Sequence, residues 1–312
     1  MTSTKTVRRA AAALVVPLLL ASAAACGSGD DETTPGGVPA VSGDSGKKPE
    51  VADGKGDPPK ELKSKVLNKG DGAKVAKFDL LRVNYLGQTW KGEEFDNSFD
   101  KKQPFDFQIN TDGVIKGWDE GLLGKTVGSR VELVIPPEKA YGDNPPQGSA
   151  IKPGDTLVFV IEIEEAKSGI PEGEKVPQED AALPKVGTNT DGKAPKITVP
   201  KDTEVPGEVV SETVIQGTGK KVGAKDTIEA HFTAVTWKDG KLVGDTRQAT
   251  QQGPAGPRPM PVEQVPGWAE GLKGQQVGSR VLLVVPEKEF PKEDRKQLGG
   301  GLVFAVDILD IQ

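Results

Sequence analysis

Polar and apolar residues alternate with a period of two along much of the chain. Leu81, Val83 and Tyr85 fall on one side of such a stretch, as do Phe105, Phe107 and Ile109, then Val131, Leu133 and Ile135, then Leu157, Phe159, Ile161 and Ile163. That period is the pleat of a half-buried strand, with one face on a core and the other in water. The exception runs from Val114 to Leu123. There Val114, Ile115, Trp118 and Leu122 recur at helical spacing, Asp119 and Glu120 face away from them, and Gly124 is placed to stop the helix in the left-handed conformation. One short helix packed on an antiparallel sheet predicts an α+β domain.

The pattern occurs twice. GWDEGLLGKTVGSRVELVIP at 117–136 returns as GWAEGLKGQQVGSRVLLVVP at 267–286, with 14 of 20 positions identical. Sliding one half over the other sets Tyr85 against Phe232, Trp90 against Trp237, Trp118 against Trp268, Tyr141 against Phe290 and Phe159 against Phe304. A duplicated domain whose second copy has lost both phenols keeps the rings that pack and deletes the hydroxyls that hydrogen-bond. Around them Phe95 is met by Val243, Asp96 by Gly244 or, with a one-residue shift, Asp245, and Phe105 by Met260. The second copy is therefore expected to fold and to be less able to bind or react.

The ends and joints are different in kind. Residues 1–25 carry Lys5, Arg8 and Arg9 and then an uncharged stretch too short for a membrane span, which reads as an export signal. Cys26, the only cysteine, follows Ala23-Ala24-Ala25 and resembles the lipobox of bacterial lipoproteins, although Ala23 stands where Leu is usual. Lipidation of Cys26 on the extracytoplasmic side of the cell membrane is expected; the alternative is ordinary secretion. Residues 26–59 are rich in Gly, Asp, Ser, Pro and Lys and read as a disordered tether, because so little apolar surface cannot offset chain entropy. The Pro-rich stretch 167–208 reads as a polar linker between a first domain at 60–166 and a second at 209–312. Pro49-Glu50-Val51 and Pro195-Lys196-Ile197 also match, which extends the repeat ahead of each compact domain.

The chain carries a formal charge of −6, or −9 without the three signal cations, which argues against nucleic acid or anionic lipid as the main partner. His231, the only histidine, alternates with Ile228, Ala230 and Phe232 and is expected to face solvent. With no second histidine, no metal site is expected. Glu162 to Glu165 read as a solvated strand end.

Six segments occur in an order that resembles FKBP-type peptidyl-prolyl cis-trans isomerases: VNYLG at 83–87, GEEFDNSF at 92–99, PFDFQI at 104–109, VIKGWDEGL at 114–122, AYG at 140–142 and TLVFVIEI at 156–163. The resemblance implies two FKBP-like domains and an isomerase of X-Pro bonds in exported or cell-surface polypeptides, open to macrolide inhibitors and needing no cofactor. It implies a pocket with Trp118 as floor and Tyr85, Phe95, Phe105, Val114, Ile115 and Phe159 as walls. The Ile115 amide and the Tyr141 hydroxyl would hold substrate carbonyls, Asp96 would sit at the edge, and Ile151 would come from the flap. Lys101 stands where many members of the family have Arg. Gly142 to Ala150, with Pro145-Pro146, departs from the common flap pattern. The rival reading is a non-catalytic module or chaperone that grips proline-containing segments.

Overall fold

The computed structural model describes residues 37–248 and 255–312. The expected export signal and Cys26 lie outside the described residues. Among those described, no helix is long and apolar enough to cross a membrane.

A short antiparallel hairpin comes first, β1 (Val41–Ser42) and β2 (Glu50–Val51). The first repeat follows as β3 (Lys63–Asn68), β4 (Leu80–Thr89), β5 (Glu94–Asn97), β6 (Phe105–Gln108), α1 (Lys116–Leu122), β7 (Arg130–Ile135) and β8 (Leu157–Lys167). Its antiparallel sheet runs β3-β7-β8-β4-β5, with β6 also on β4. Next come β9 (Glu174–Lys175) and a second small hairpin, β10 (Lys185–Val186) with β11 (Ile197–Thr198). The second repeat is β12 (Val210–Gln216), β13 (Thr227–Thr236), β14 (Leu242–Asp245), β15 (Arg258–Pro261), α2 (Trp268–Gly271), β16 (Arg280–Pro286), α3 (Arg295–Leu298) and β17 (Gly301–Ile311). Its sheet repeats the first topology as β14-β13-β17-β16-β12, with β15 on β13 and β9 added at the edge.

The period-two residues do what alternation requires. Leu81, Val83, Phe107, Ile109, Val131, Leu133, Ile135, Leu157, Phe159, Ile161 and Ile163 form one buried cluster with Trp118 and Leu122 of the helix. Glycine sets how close the helix lies. A Cβ at Gly117 would sit 2.4 Å from Ile135 and one at Gly121 2.5 Å from Leu133; Gly271 meets Leu283 at the same 2.5 Å. The shared G-W-x-E-G-L motif is thus a packing motif in both copies. Asp119 does not face away as expected: it is buried, and its Oδ1 accepts the Asn110 N–H at 2.7 Å.

The tether and linker readings need correction where the structure describes them. Val38 and Val51 pack on Trp90, Val134 and Val158, on the face of the sheet opposite the helix. Leu183, Val186 and Ile197 likewise cover Trp237, Leu282, Val284 and Val303. The hairpins correspond, Val41 paired with Val51 as Val186 is with Ile197. Each Trp indole donates to the irregular segment that follows its hairpin, Trp90 to the Gly56 carbonyl at 3.0 Å and Trp237 to that of Thr203 at 3.2 Å.

What fastens each hairpin is the arginine of the repeated VGSRV motif. Arg130, 2% exposed, donates to the carbonyls of Gly43, Asp44 and Lys47 at 2.6–2.8 Å and from Nε to Glu162 at 2.7 Å. Glu162 in turn accepts the Gly46 N–H. It is therefore a buried partner, not a solvated strand end. Arg280 repeats the scheme with Gly187, Asn189 and Asp307. Apolar content underestimated these segments because a buried guanidinium supplies much of what holds them.

His231 is also placed differently from expectation. It is 2% exposed, with Nδ1 2.9 Å from Thr246 Oγ1 and Nε2 2.9 Å from Oε1 of Gln108 in the first repeat. Gln108 of the first repeat caps the polar side of β13 at this point, with Thr246 of the second repeat on the other ring nitrogen. Lys167 reaches Asp310 across the same interface at 2.7 Å. The Phe78 ring, on a residue with φ 69°, lies against Gly192. Burial first, then Arg247 and Arg280, push the His231 imidazole down to about 2.

Glu132 lies between Arg130 and Val134 on the hairpin-covered face, fully buried, and neither carboxylate oxygen has a hydrogen-bond partner. The second repeat has Leu282 there. Burial pushes the Glu132 carboxyl up from 4.5 to about 7, with Lys65 pulling the other way. Between those values the folded state holds a proton that the unfolded chain has released, so stability falls as pH rises through the window and stays lowered above it. Glu132→Leu should raise Tm, and by more at pH 8 than at pH 5. Equal gains in thermal denaturation at both values would show that this carboxyl does not titrate in that range.

Candidate functional site

The open end of the first repeat holds a cavity of about 390 Å³. Its lining contains every pocket residue expected from the sequence: Tyr85, Phe95, Asp96, Phe105, Val114, Ile115, Trp118, Tyr141, Ile151 and Phe159. Gly113, Pro146 and Ser149 complete it. Sequence reasoning missed these three; Pro146 and Ser149 belong to the atypical flap, where no pattern marked them.

Six parts of the repeat supply the walls. Tyr85 lies on β4, Phe159 on β8, Phe95 and Asp96 on β5 and Phe105 on β6, while α1 brings up Trp118 and the flap after β7 brings Tyr141, Pro146, Ser149 and Ile151. Trp118 is the hub, edge-on to Phe159 at 5.2 Å, to Tyr85 at 5.4 Å and to Phe107 at 5.4 Å between ring centroids. Edge-to-face contacts suit aromatic quadrupoles and fix the rings relative to one another. Phe95 packs on Phe159 at 5.6 Å. The contact depends on Gly87, where a Cβ would come within 2.7 Å of both rings. Phe105 stacks on Phe107 and remains 40% exposed at the rim.

The polar groups sit on one side. The Tyr85 hydroxyl donates to Asp96 Oδ2 at 2.6 Å, and the Lys101 ammonium contacts the other carboxylate oxygen, filling the position expected of Arg. Burial alone would push the Asp96 carboxyl up; Lys101 and Tyr85 outweigh it and hold the group below its ordinary value. Burial and then the bond to Asp96 push the Tyr85 phenol up. Tyr141 is raised as well, by burial and then by the nearby Asp96 charge, so both phenols stay protonated donors at neutral pH. The result is an apolar cup with one carboxylate and two hydroxyls at its lip. Among the described residues, no group of three or more His, Cys, Asp or Glu side chains could hold a metal ion.

Strand register settles the counterparts in the second repeat. Gly87 opposes Asp96 as Ala234 opposes Gly244, so Gly244, not Asp245, replaces Asp96. Val83 opposes Phe105 as Ala230 opposes Arg258, so Phe105 is replaced by Arg258, and the expected Met260 corresponds to Phe107. Phe232, Trp268 and Phe304 keep the edge-on triad. Its rings survive and its lip does not.

A family model described as FKBP-type peptidyl-prolyl cis-trans isomerase matches the chain twice, at residues 72–164 and 218–309. The chain belongs to that isomerase family and carries its domain in tandem. It is 42% identical over 118 residues to an FK506-binding protein of Streptomyces anulatus, a match covering 38% of this chain and 95% of that one. It is 44% identical over 102 residues to the FKBP-type 22 kDa peptidyl-prolyl cis-trans isomerase of Escherichia coli, covering 33% of this chain and 48% of the relative. Over 92 residues it is 47% identical to the human peptidyl-prolyl cis-trans isomerase FKBP2, covering 29% and 63%. This chain thus spans nearly all of the first relative, and about half and under two thirds of the other two.

Lys101→Met should release part of what holds Asp96 down. The Asp96 carboxyl should then titrate at higher pH in an NMR titration, with Tm nearly unchanged, because an exposed pair contributes only about 0–1 kcal/mol. An unmoved Asp96 titration would mean that Tyr85 alone sets it.

Proposed function

We propose that the chain isomerises X-Pro peptide bonds of exported or cell-surface polypeptides, that turnover resides chiefly in the first repeat, and that the protein is held at the extracytoplasmic face of the membrane by lipid on Cys26. The observation that carries the catalytic assignment is the asymmetry of the two sites. Both keep the aromatic triad, and only the first has the Tyr85 hydroxyl on it and Asp96, Phe105 and Tyr141 around it.

The barrier to prolyl rotation, about 18–20 kcal/mol, is amide resonance lost as the bond twists. No bond need be made or broken. The proline ring would enter the cup over Trp118, between Tyr85, Phe95 and Phe159, with Val114, Ile115 and Ile151 closing the sides. The Ile115 N–H and the Tyr141 hydroxyl would hold the flanking carbonyls. Leaving water removes solvation that favours the planar, more polar amide, and fixed donors that fit the twisted geometry better than either planar isomer lower the barrier. Asp96, at the edge of the cup, would keep Tyr85 oriented through the hydroxyl it accepts from. Outside the cytoplasm such a catalyst replaces an uncatalysed step of tens of seconds or longer.

Tyr141→Phe imitates position 290 and keeps the packing. In a protease-free assay on the full chain, kcat/KM should fall about tenfold, the cost of roughly 1.4 kcal/mol of transition-state stabilisation, while Tm barely moves. Unchanged activity removes Tyr141 from the site. A wild-type chain that binds prolyl peptides without turnover supports the binding-module reading instead.

Cys26→Ser should release the protein from membranes and abolish labelling by an alkyne fatty acid. Wild-type protein that stays unlabelled and soluble would refute the anchor.

A further inference from the structure

Among the contacts of the second repeat with the first, the one at Gln108 lies between two parts of the pocket. Strand β6 pairs with β4 alone and is four residues long, yet it carries Phe105, which lines the cavity, and Phe107, which buttresses Trp118. An edge strand this short has little to hold it but its neighbours. Its last residue, Gln108, is buried, and every polar atom of its side chain is engaged. Nε2 donates to the Phe78 carbonyl at 3.0 Å and to the Gly169 carbonyl at 2.8 Å, and Oε1 meets His231 Nε2 at 2.9 Å.

The geometry fixes the protons. Both amide hydrogens go to carbonyls, so Oε1 accepts and His231 donates from Nε2, leaving Nδ1 to accept from the Thr246 hydroxyl at 2.9 Å. Beyond Gln108, the Ile109 N–H bonds the Asp79 carbonyl, and the Asn110 N–H bonds Asp119 of α1 at 2.7 Å. The chain then supplies Gly113, Val114 and Ile115 to the cavity and enters the helix that bears Trp118. Gln108 is therefore the joint between the pocket's Phe105 wall and its floor. Duplication shows how specialised the contact is. The counterpart of His231 is Asn84, whose amide nitrogen reaches an exposed Glu164, and the counterpart of Gln108 is Pro261, which has no amide side chain to offer.

We propose that the second repeat acts as a prop for the first repeat's pocket, with His231 a positioning residue that works through Gln108 to hold β6 and the segment leading into α1. The degenerate copy then sets the affinity of the intact one for prolyl segments without touching substrate. This rests on the pocket being the prolyl site, so the experiment reads binding and turnover separately.

In the full chain, His231→Ala should raise KM for a prolyl tetrapeptide and weaken its equilibrium binding by the same factor, on the order of 3- to 10-fold, with kcat close to wild type. Tyr141, Asp96 and the Ile115 N–H are untouched by that change. His231→Gln, which keeps a donor directed at Gln108, should return KM and affinity toward wild type; it also stands in should the alanine variant fold poorly. Wild-type KM and affinity in folded His231→Ala would overturn the prop. So would a loss confined to kcat, or a defect in His231→Ala that His231→Gln leaves uncorrected while Tm recovers. If the wild-type chain binds the peptide without turning it over, the catalytic reading fails and the affinities still decide the prop. A wild-type chain that neither binds nor turns it over defeats both.

Discussion

A guanidinium taken out of water has five N–H groups to satisfy, and in this chain that requirement, met twice, decides where each repeat begins. Arg130 and Arg280 stand at the start of β7 and β16 with their charge matched by Glu162 and Asp307 on the adjacent strand. A carboxylate alone cannot receive every N–H, and the carbonyls of a hairpin far upstream accept others. Removing one partner from such a cluster strands the other charge in a poor solvent, at a cost of about 3–5 kcal/mol. Hairpin, arginine and carboxylate therefore stand or fall together. The sheet they brace carries Tyr85 and Phe159 on its other face, so the pocket's back wall rests on an arrangement that never touches it.

The division between the repeats follows physical lines. Positions that fill volume are retained: Trp268 for Trp118, Phe304 for Phe159, Gly271 for Gly121. Positions that make a lip are not. Ala234 now places a methyl where Gly87 left room for Phe95, and the residue in Phe95's place has shrunk to valine. Losing the large ring and filling the space beside it are one change seen from two sides. On the other face of β13 the second copy brings His231 to Gln108 of its neighbour.

Much of this was legible in the sequence, because period-two alternation and ordered aromatic motifs are local signals. They gave the α+β class, the duplication, and ten pocket residues that the fold brings to one cavity. What was not legible depends on partners distant in sequence. The hairpins at 41–51 and 185–198 read as open chain because their composition is polar, and nothing nearby reveals that Arg130 and Arg280 will collect their carbonyls. Alternation puts His231 on the correct side of its strand but says nothing of its surroundings, since it distinguishes faces and not what covers them. Arg258 was displaced by Met260 because the connecting loops differ in length between copies, and only the ladder on β13 fixes the count.

The stretch recognised as the family domain, 72–164, is shorter than the stretch that folds as a unit. A fragment trimmed to those limits would leave Arg130 facing the vacated carbonyl positions of Gly43, Asp44 and Lys47, and the Trp90 indole without Gly56. Val134 and Val158 would be opened to water at the same stroke. Such a fragment would be a sticky, half-stripped sheet whose poor behaviour said nothing about its catalytic worth. Family limits mark what relatives share; here the cut that respects the physics falls upstream of Val38.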